Sequence, residues 1–253
     1  MTTQLSCLET PRLVLDAAKM DANIARLKTR LATLGVRLRP HVKTCKSIEA
    51  ARGLMESPAG PITVSTLKEA EQFFAHGVTD IFYAVGIAPG KLDHVVALRS
   101  NGCDLKVVVD SVEAAEAVAA KGAGIPTLIE IDCDGHRAGV KPGAPVLVDI
   151  ARALSKGAEA RGVMTHAGDS YNSRGLDAIR AMAEQERRAV VESAAVLHAA
   201  GFEAPVVSVG STPTAMFAQN LEGVTEVRAG VFVFMDLVMA GLGVCAVDDI
   251  AIS

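Results

Sequence analysis

Strand-like and helix-like patterns alternate along this chain almost without interruption, and that alternation limits its fold more than any other feature. Strand patterns stand at residues 12–15, 36–42, 62–65, 80–85, 105–110, 127–132, 162–166, 205–209 and 224–234. Helical periodicity fills the gaps. The first helix carries Met20, Ile24, Leu27, Leu31 and Leu34 at alternating spacings of four and three, with Asp16 placed to cap its start. The longest runs over about 176–200 with Leu176, Ile179, Met182, Val190, Ala194 and Leu197 on one stripe. Gly35, Gly77, Gly102 and Gly201 follow helices where a left-handed cap is wanted. The succession predicts an α/β fold, a (β/α)8 TIM barrel with an extra N-terminal strand; a doubly wound open sheet is the rival. Charges at strand period favour the barrel. Lys106 with Asp110, Glu130 with Asp132, and Glu226 with Arg228 fall on inward positions. Closure sets the last strand beside the one bearing Arg37 and Arg39, where Glu226 can neutralise an arginine.

With 253 residues, half of them apolar, the chain has material for one α/β domain with a sizeable core. No linker or low-complexity segment divides it, so residues 1–253 read as one domain. The net charge of −4, with no basic block, points away from nucleic acid, whose phosphates need a concentrated positive face. Five irregularly spaced cysteines (Cys7, Cys45, Cys103, Cys133, Cys245) form no disulfide framework, and a reducing, cytoplasmic setting is expected. No charged-then-apolar leader opens the sequence, so no secretory signal is expected. The apolar stretch 229–247 contains Asp236 and several glycines and begins with strand alternation. It reads as a buried strand and loop, and no membrane partner is expected.

Within 37–46, Arg37, Arg39, His41 and Lys43 share one face at strand period. A strand covered on both faces holds such charges only if they are paired or used. Lys43 comes last, at the C-terminal end, where a lysine in an enclosed polar pocket can lose its proton and attack a carbonyl to form a Schiff base. Other unusual residues also sit at or just after strand C-terminal ends, the catalytic face of a barrel: Ser65, Asp110, residues 132–137, His166, residues 210–214 and Gly230. In SVGSTPT (208–214), a strand runs into a glycine, hydroxyls and a helix start, which suits a phosphate. In DCDGHRAGV (132–140), Arg137 can hold a phenolate or carboxylate, whereas Cys133, Asp134 and His136 match no standard metal spacing. In THAGDSY (165–171), inward His166 is either a ring-facing imidazole or a satisfied core histidine, with Tyr171 close behind. A strand-end lysine, a phosphate cradle and an arginine together describe a pyridoxal phosphate site.

At these residues the sequence resembles the fold-type III pyridoxal phosphate enzymes, and within them the D-threonine aldolase / D-serine dehydratase-like group. The matching pieces are TPRLVLD (10–16), RPHVKTCK (39–46), the run 132–140, THAGDSY, GSTPT (210–214) and EVRAGVFVFMDLVMAGLGVC (226–245). The resemblance implies that Lys43 carries pyridoxal 5′-phosphate and that Lys43 and His166 are catalytic. It implies that Arg137 faces the cofactor's phenolate oxygen, that Ser211, Thr212, Gly230 and Val231 hold its phosphate, and that His166 and Tyr171 line its ring. It also implies that the N-terminal strand, within residues 1–16, leaves the barrel for a C-terminal β domain. That domain follows where this sequence stops, so the strand at 12–15 is expected to lack a barrel neighbour. A divalent metal (manganese, magnesium or zinc) is expected only with that domain, and no metal ligand can be carried over. Two positions depart from the family pattern: Cys45 stands where a second histidine is usual, and Phe232 where a tyrosine is usual. The implied reaction is retro-aldol cleavage of a D-β-hydroxy-α-amino acid to glycine and an aldehyde. Dehydration of D-serine- or 3-hydroxyaspartate-like substrates is the nearest alternative. A non-catalytic pyridoxal phosphate carrier and a cofactor-free Schiff-base aldolase are the others. The implied partners are a small D-amino acid and, for the full-length form, a second copy in a homodimer.

Overall fold

The computed structural model describes residues 9–253. Eight strands run parallel: β1 (Arg37–Leu38), β2 (Ile62–Val64), β3 (Asp80–Gly86), β4 (Asp104–Val109), β5 (Pro126–Ile131), β6 (Glu159–Thr165), β7 (Val206–Val209) and β8 (Glu226–Val227). Their order is β1-β8-β7-β6-β5-β4-β3-β2. Just past β1 the chain meets β2 through a parallel bridge of His41 with Thr63. There the Val42 N–H donates to Thr63 O (3.0 Å) and the Thr63 N–H to Pro40 O (2.8 Å), which closes the ring. The chain is thus a closed parallel barrel, with helices α1 (Ala17–Thr33), α2 (Ile48–Leu54), α3 (Leu67–Ala75), α4 (Leu92–Ser100), α5 (Val112–Ala119), α6 (Val146–Leu154), α7 (Leu176–Ala199), α8 (Thr212–Phe217) and α9 (Leu237–Gly241) before, between and after its strands.

Strand alternation divides the apolar residues into two cores. Phe82, Val108, Leu128 and Met164 form a small cluster inside the barrel. Their alternates, among them Ile81, Val107, Ile129 and Val163, pack outward in the larger core under the helices. Helix α1 (Ala17–Thr33) lays Ile24, Leu27 and Leu31 on that layer, and the Lys19 N–H donates to its cap, Asp16 Oδ1 (3.1 Å). Below the inner cluster the barrel carries a charged belt. Arg39, 2% exposed, donates from Nε to Glu226 Oε2 (2.8 Å) and from Nη1 to Asp80 Oδ1 (2.7 Å). Arg37 and Glu226 are register partners, as barrel closure requires. Lys106 pairs with Asp80 on β3 (2.9 Å) and with Asp104 two residues before it on β4 (2.6 Å) rather than with Asp110, which lies four residues on, past the strand's end.

One expectation needs correction. The pattern at 224–234 contributes only Glu226–Val227 to the sheet; beyond Arg228 the chain bends into a 3-10 turn, Val231–Val233, and then helix α9 (Leu237–Gly241). Phe232 and Val233 are buried all the same, so the apolar pattern reported burial rather than extension. The segment 12–15 has no neighbour among the barrel strands; it makes a single antiparallel bridge outside the sheet, Leu15 with Ile252. The N–H groups of Val14 and Ser253 donate to each other's carbonyls at 2.9 and 3.0 Å. Among the described residues no helix is long and apolar enough to cross a membrane. Cys45, Cys103, Cys133 and Cys245 are free thiols; Cys7 lies outside the described residues.

Candidate active site

The C-terminal strand ends surround a narrow cavity of about 30 Å³, room for a few water-sized groups, which opens at the barrel mouth. Lys43, His166, Tyr171, Ser211, Thr212, Gly230 and Val231 line it, together with His41, Gly210, Arg228 and Ala229. A groove of about 790 Å³ runs along α1 and helix α8 (Thr212–Phe217), but no lysine enters it and it lies away from the strand ends.

Lys43 is the second residue of a tight turn in which the Lys46 N–H donates to Val42 O (2.8 Å). Its side chain reaches the open mouth. Desolvation of its base, then the charges of Arg137 and Arg228, hold its ammonium below the ordinary lysine range. A lysine so placed reaches the nucleophilic amine at less cost. His41, just before it, accepts from the Lys43 N–H at Nδ1 (3.5 Å), which leaves Nε2 to donate to Ser65 Oγ (3.3 Å). Burial, then the nearby cations, keep His41 neutral.

His166 donates from Nδ1 to Gly210 O (2.6 Å), since a carbonyl can only accept. Its ring centroid lies 6.2 Å from that of Tyr171. Burial, then the charges of Arg228, Arg137 and Lys43, push His166 down to about 4. The unfolded chain therefore takes up a proton below the ordinary value of 6.5 that the folded chain refuses until about 4, and stability falls as pH drops through that window. We expect denaturant midpoints measured from pH 7 to pH 4 to fall less steeply in His166→Gln than in the parent, with the slope from His41 remaining. Identical slopes would show that His166 is protonated in the fold.

The phosphate-like segment is built by helix α7 (Leu176–Ala199). Its Glu186, buried in the apolar stripe, accepts from the N–H groups of Ala167 and Gly210 (both 3.0 Å) and from Thr214 Oγ1 (2.7 Å). One carboxylate thereby fixes the loops after β6 and β7, and burial raises its pKa. Ser211 caps α8, accepting from the Thr214 N–H (3.2 Å). Its neighbours use their own protons on Ala167 O and Glu186, so the Ser211 proton goes to Ser170 or Thr214, 2.8 and 2.9 Å away. The Ser211 hydroxyl is thus engaged within the fold. Thr212 Oγ1 accepts from the Phe232 N–H (3.2 Å), and the Thr212 N–H reaches the Tyr171 hydroxyl. No backbone acceptor meets the N–H groups of Gly230 and Val231 among the described residues. Two free donors beside a cation-rich cavity fit an anion such as a phosphate.

Sequence reasoning missed three contributors. Arg228 was legible only as an inward charge; it is buried beneath the cavity, donating from Nε to Ser208 Oγ (2.9 Å) and from Nη2 to Thr165 O, over the Phe82 ring. His41 was read as part of a basic strand face. Glu186 had a signal, a carboxylate inside the Ile179, Ala183, Val190, Leu197 stripe. Arg137 stands apart from the cavity lining: it is exposed, in the loop after β5, with its stem on Gly168. Cys45 rests its sulfur against Val42 O (3.5 Å). Among the described residues no three or more His, Cys, Asp or Glu groups gather to hold a metal. These residues do not fit the divalent metal.

The family description "Alanine racemase, N-terminal domain" matches residues 15–238. D-threo-3-hydroxyaspartate dehydratase of Delftia sp. (strain HT23) is 54% identical, with all of this chain and 68% of the relative covered. Its solved structure superposes with a TM-score of 0.97, at 53% identity and the same coverage. D-serine dehydratase of Dictyostelium discoideum is 31% identical over 97% of this chain and 67% of its own length. D-threonine aldolase of Arthrobacter sp. is 29% identical, with 92% and 62% covered. A lysine and free N–H donors lining one cavity at a barrel mouth accompany a match over residues 15–238: the chain belongs to the alanine racemase N-terminal domain family, the fold-type III pyridoxal phosphate barrels.

Proposed function

We propose that this barrel binds pyridoxal 5′-phosphate on Lys43 and serves the dehydration of a D-3-hydroxy-2-amino acid, with 3-hydroxyaspartate the first candidate. The observation that carries the reading is identity of 54% along the whole chain with a D-threo-3-hydroxyaspartate dehydratase, against 29% with a D-threonine aldolase. Dehydration, the alternative in the sequence reading, is thereby favoured over retro-aldol cleavage.

The cavity's charge supports the choice of ligand. Lys43 and Arg228 line the mouth and Arg137 stands near enough for its charge to act there; after burial, the two arginine charges depress the Lys43 ammonium, a surplus that a phosphate and a dicarboxylic amino acid would neutralise. The N–H groups of Gly230 and Val231, with the Thr212 hydroxyl, are the phosphate donors; Ser211 holds their frame as the α8 cap. Arg137 takes the phenolate. His166, neutral and tied by its Nδ1 proton to Gly210, lies by the ring with Tyr171 and leaves Nε2 as an acceptor. When bound, the cofactor supplies an electron sink at the substrate's Cα. Lys43 does the protein's share of the proton transfer, taking the Cα proton once its amine is free, and its lowered pKa suits that base.

Product analysis separates the two lyase reactions. Loss of water from Cα and Cβ leaves an enamine that hydrolyses to ammonia and a 2-oxo acid in equal amounts, whereas retro-aldol cleavage yields glycine and an aldehyde. We expect the cofactor-loaded chain given D-threo-3-hydroxyaspartate to release ammonia and oxo acid. Glycine with no ammonia would return the chain to the aldolases.

A further inference from the structure

We propose that Gly168 is a positioning residue for Arg137, its missing side chain forming the bed that sets the guanidinium over the barrel mouth; this rests on the reading that Arg137 holds the phenolate. Gly168 opens the 3-10 turn Gly168–Asn172, and its φ is not among the positive ones, so the backbone does not demand glycine there. Space does. A Cβ at this position would stand 2.8 Å from Arg137 Cδ and 2.9 Å from Cγ. Carbon atoms pack at about 3.5–4.0 Å, so any side chain at 168 pushes the arginine stem aside. At Gly210 and Gly230 the intruding Cβ meets backbone carbonyls first, 1.9 and 2.7 Å away, so only at 168 is the obstacle a functional side chain.

The surroundings make that stem the part free to give. Next along the turn, the Asp169 N–H donates to Asp134 Oδ2 (2.9 Å) and anchors the Arg137 loop to the turn. The loop is folded on itself, with the Gly135 N–H on Asp132 Oδ1 (2.9 Å) and the His136 N–H on Asp134 Oδ1 (3.1 Å). Behind the turn, Ser170 meets Ser211 at 2.8 Å. Backbone is held on both sides, while Arg137 itself is exposed and long. An unsupported arginine loses much rotamer freedom when it fixes a ligand, and a flat glycine bed removes part of that cost beforehand.

The experiment is a double-mutant cycle with Gly168→Ala, Arg137→Ala and both together. Two readouts are followed: cofactor affinity from the visible absorbance, and the pH midpoint at which Lys43 reacts with trinitrobenzenesulfonate in the cofactor-free chain. We expect Gly168→Ala to weaken cofactor binding about tenfold, the worth of one charge-assisted hydrogen bond. The Lys43 midpoint should rise as in Arg137→Ala, because a neighbouring cation is displaced. In the Arg137→Ala background, Gly168→Ala should change neither readout. A general packing defect would add in full to the arginine mutant, and that result overturns the proposal, as does a Gly168→Ala chain that behaves like the parent. If the parent binds no cofactor, the reading of the site fails, yet the lysine midpoint still tests the coupling. Arg137→Ala with both readouts unmoved overturns reading and proposal together. Should Gly168→Ala fold poorly alone, recovery of its thermal midpoint in the double mutant supports the bed, and its absence argues against it.

Discussion

Reduction of the cofactor-loaded chain with borohydride is expected to leave the cofactor's mass on the peptide holding Lys43, and Lys43→Ala is expected to lose the visible band together with turnover. The expectation follows from position before chemistry. Lys43 is the lysine that lines the strand-end cavity, in a turn pinned by the Lys46 N–H on Val42 O. Desolvation and two arginine charges lower its pKa, so its amine is freed at less cost than that of an ordinary surface lysine. Removing a positioned proton-transfer group costs roughly 10²–10⁴ in rate, and here the anchor is removed as well. A mass found on Lys46, three residues along on the same turn, would reassign the anchor and with it the face of the ring that meets the substrate. Gly230→Ala makes a useful companion. Its Cβ would stand 2.7 Å from His41 O, so it should disturb the segment before Lys43 and weaken cofactor binding without removing the amine.

Much of this arrangement was legible because strand ends and charge pairs leave periodic traces. The Arg39–Glu226 pair could be expected from alternation and closure alone, and the register of β1 on β8 has that form. Lys43, His166 and the 210–214 segment could be located because residues at strand C-termini share a face of any barrel. What failed to show has a common cause: it depends on through-space packing. Residues 231–234 look like strand because a buried turn and a buried strand both read as a short apolar run; Phe232, Val233 and Phe234 are buried in succession. Arg228 points up toward the cavity rather than down to the belt only because Ser208 and Thr165 O catch its guanidinium. Engagement of the Ser211 hydroxyl depends on Ser170, forty-one residues away in sequence. The pairing of Val14 with Ser253 joins opposite ends of the chain, and no local pattern encodes it.

The largest stability loss from a single change in the barrel is expected at Glu226. Its carboxylate, 3% exposed, accepts from Arg39 Nε (2.8 Å) and Ser208 Oγ (2.9 Å), with Arg37 at 3.4 Å. Ala at this position strands the Arg39 guanidinium inside the barrel with Asp80 as its remaining carboxylate. Breaking one side of a buried pair costs about 3–5 kcal/mol, on the order of 10 °C in Tm for a chain of this length. Glu226→Gln keeps one acceptor for Arg39 but turns the oxygen that takes the Ser208 proton into an NH2 donor, and it loses the charge, so it should fall between. Replacing Arg39 and Glu226 together by apolar residues of similar volume should recover most of the loss, since no lone charge then remains. The belt also sets a pH limit. Burial raises the Asp80 pKa, but the hydrogen bond and charge of Arg39, with Lys106, outweigh it and hold the carboxyl below its usual range. The stability this provides is complete above the ordinary carboxylate pKa and is lost as pH falls through the depressed value. Thermal melts of parent, Glu226→Ala and the double replacement between pH 3 and pH 8 test both statements. If Glu226→Ala melts within a degree or two of the parent, the belt is a solvated surface feature and Arg39 is not confined inside the barrel.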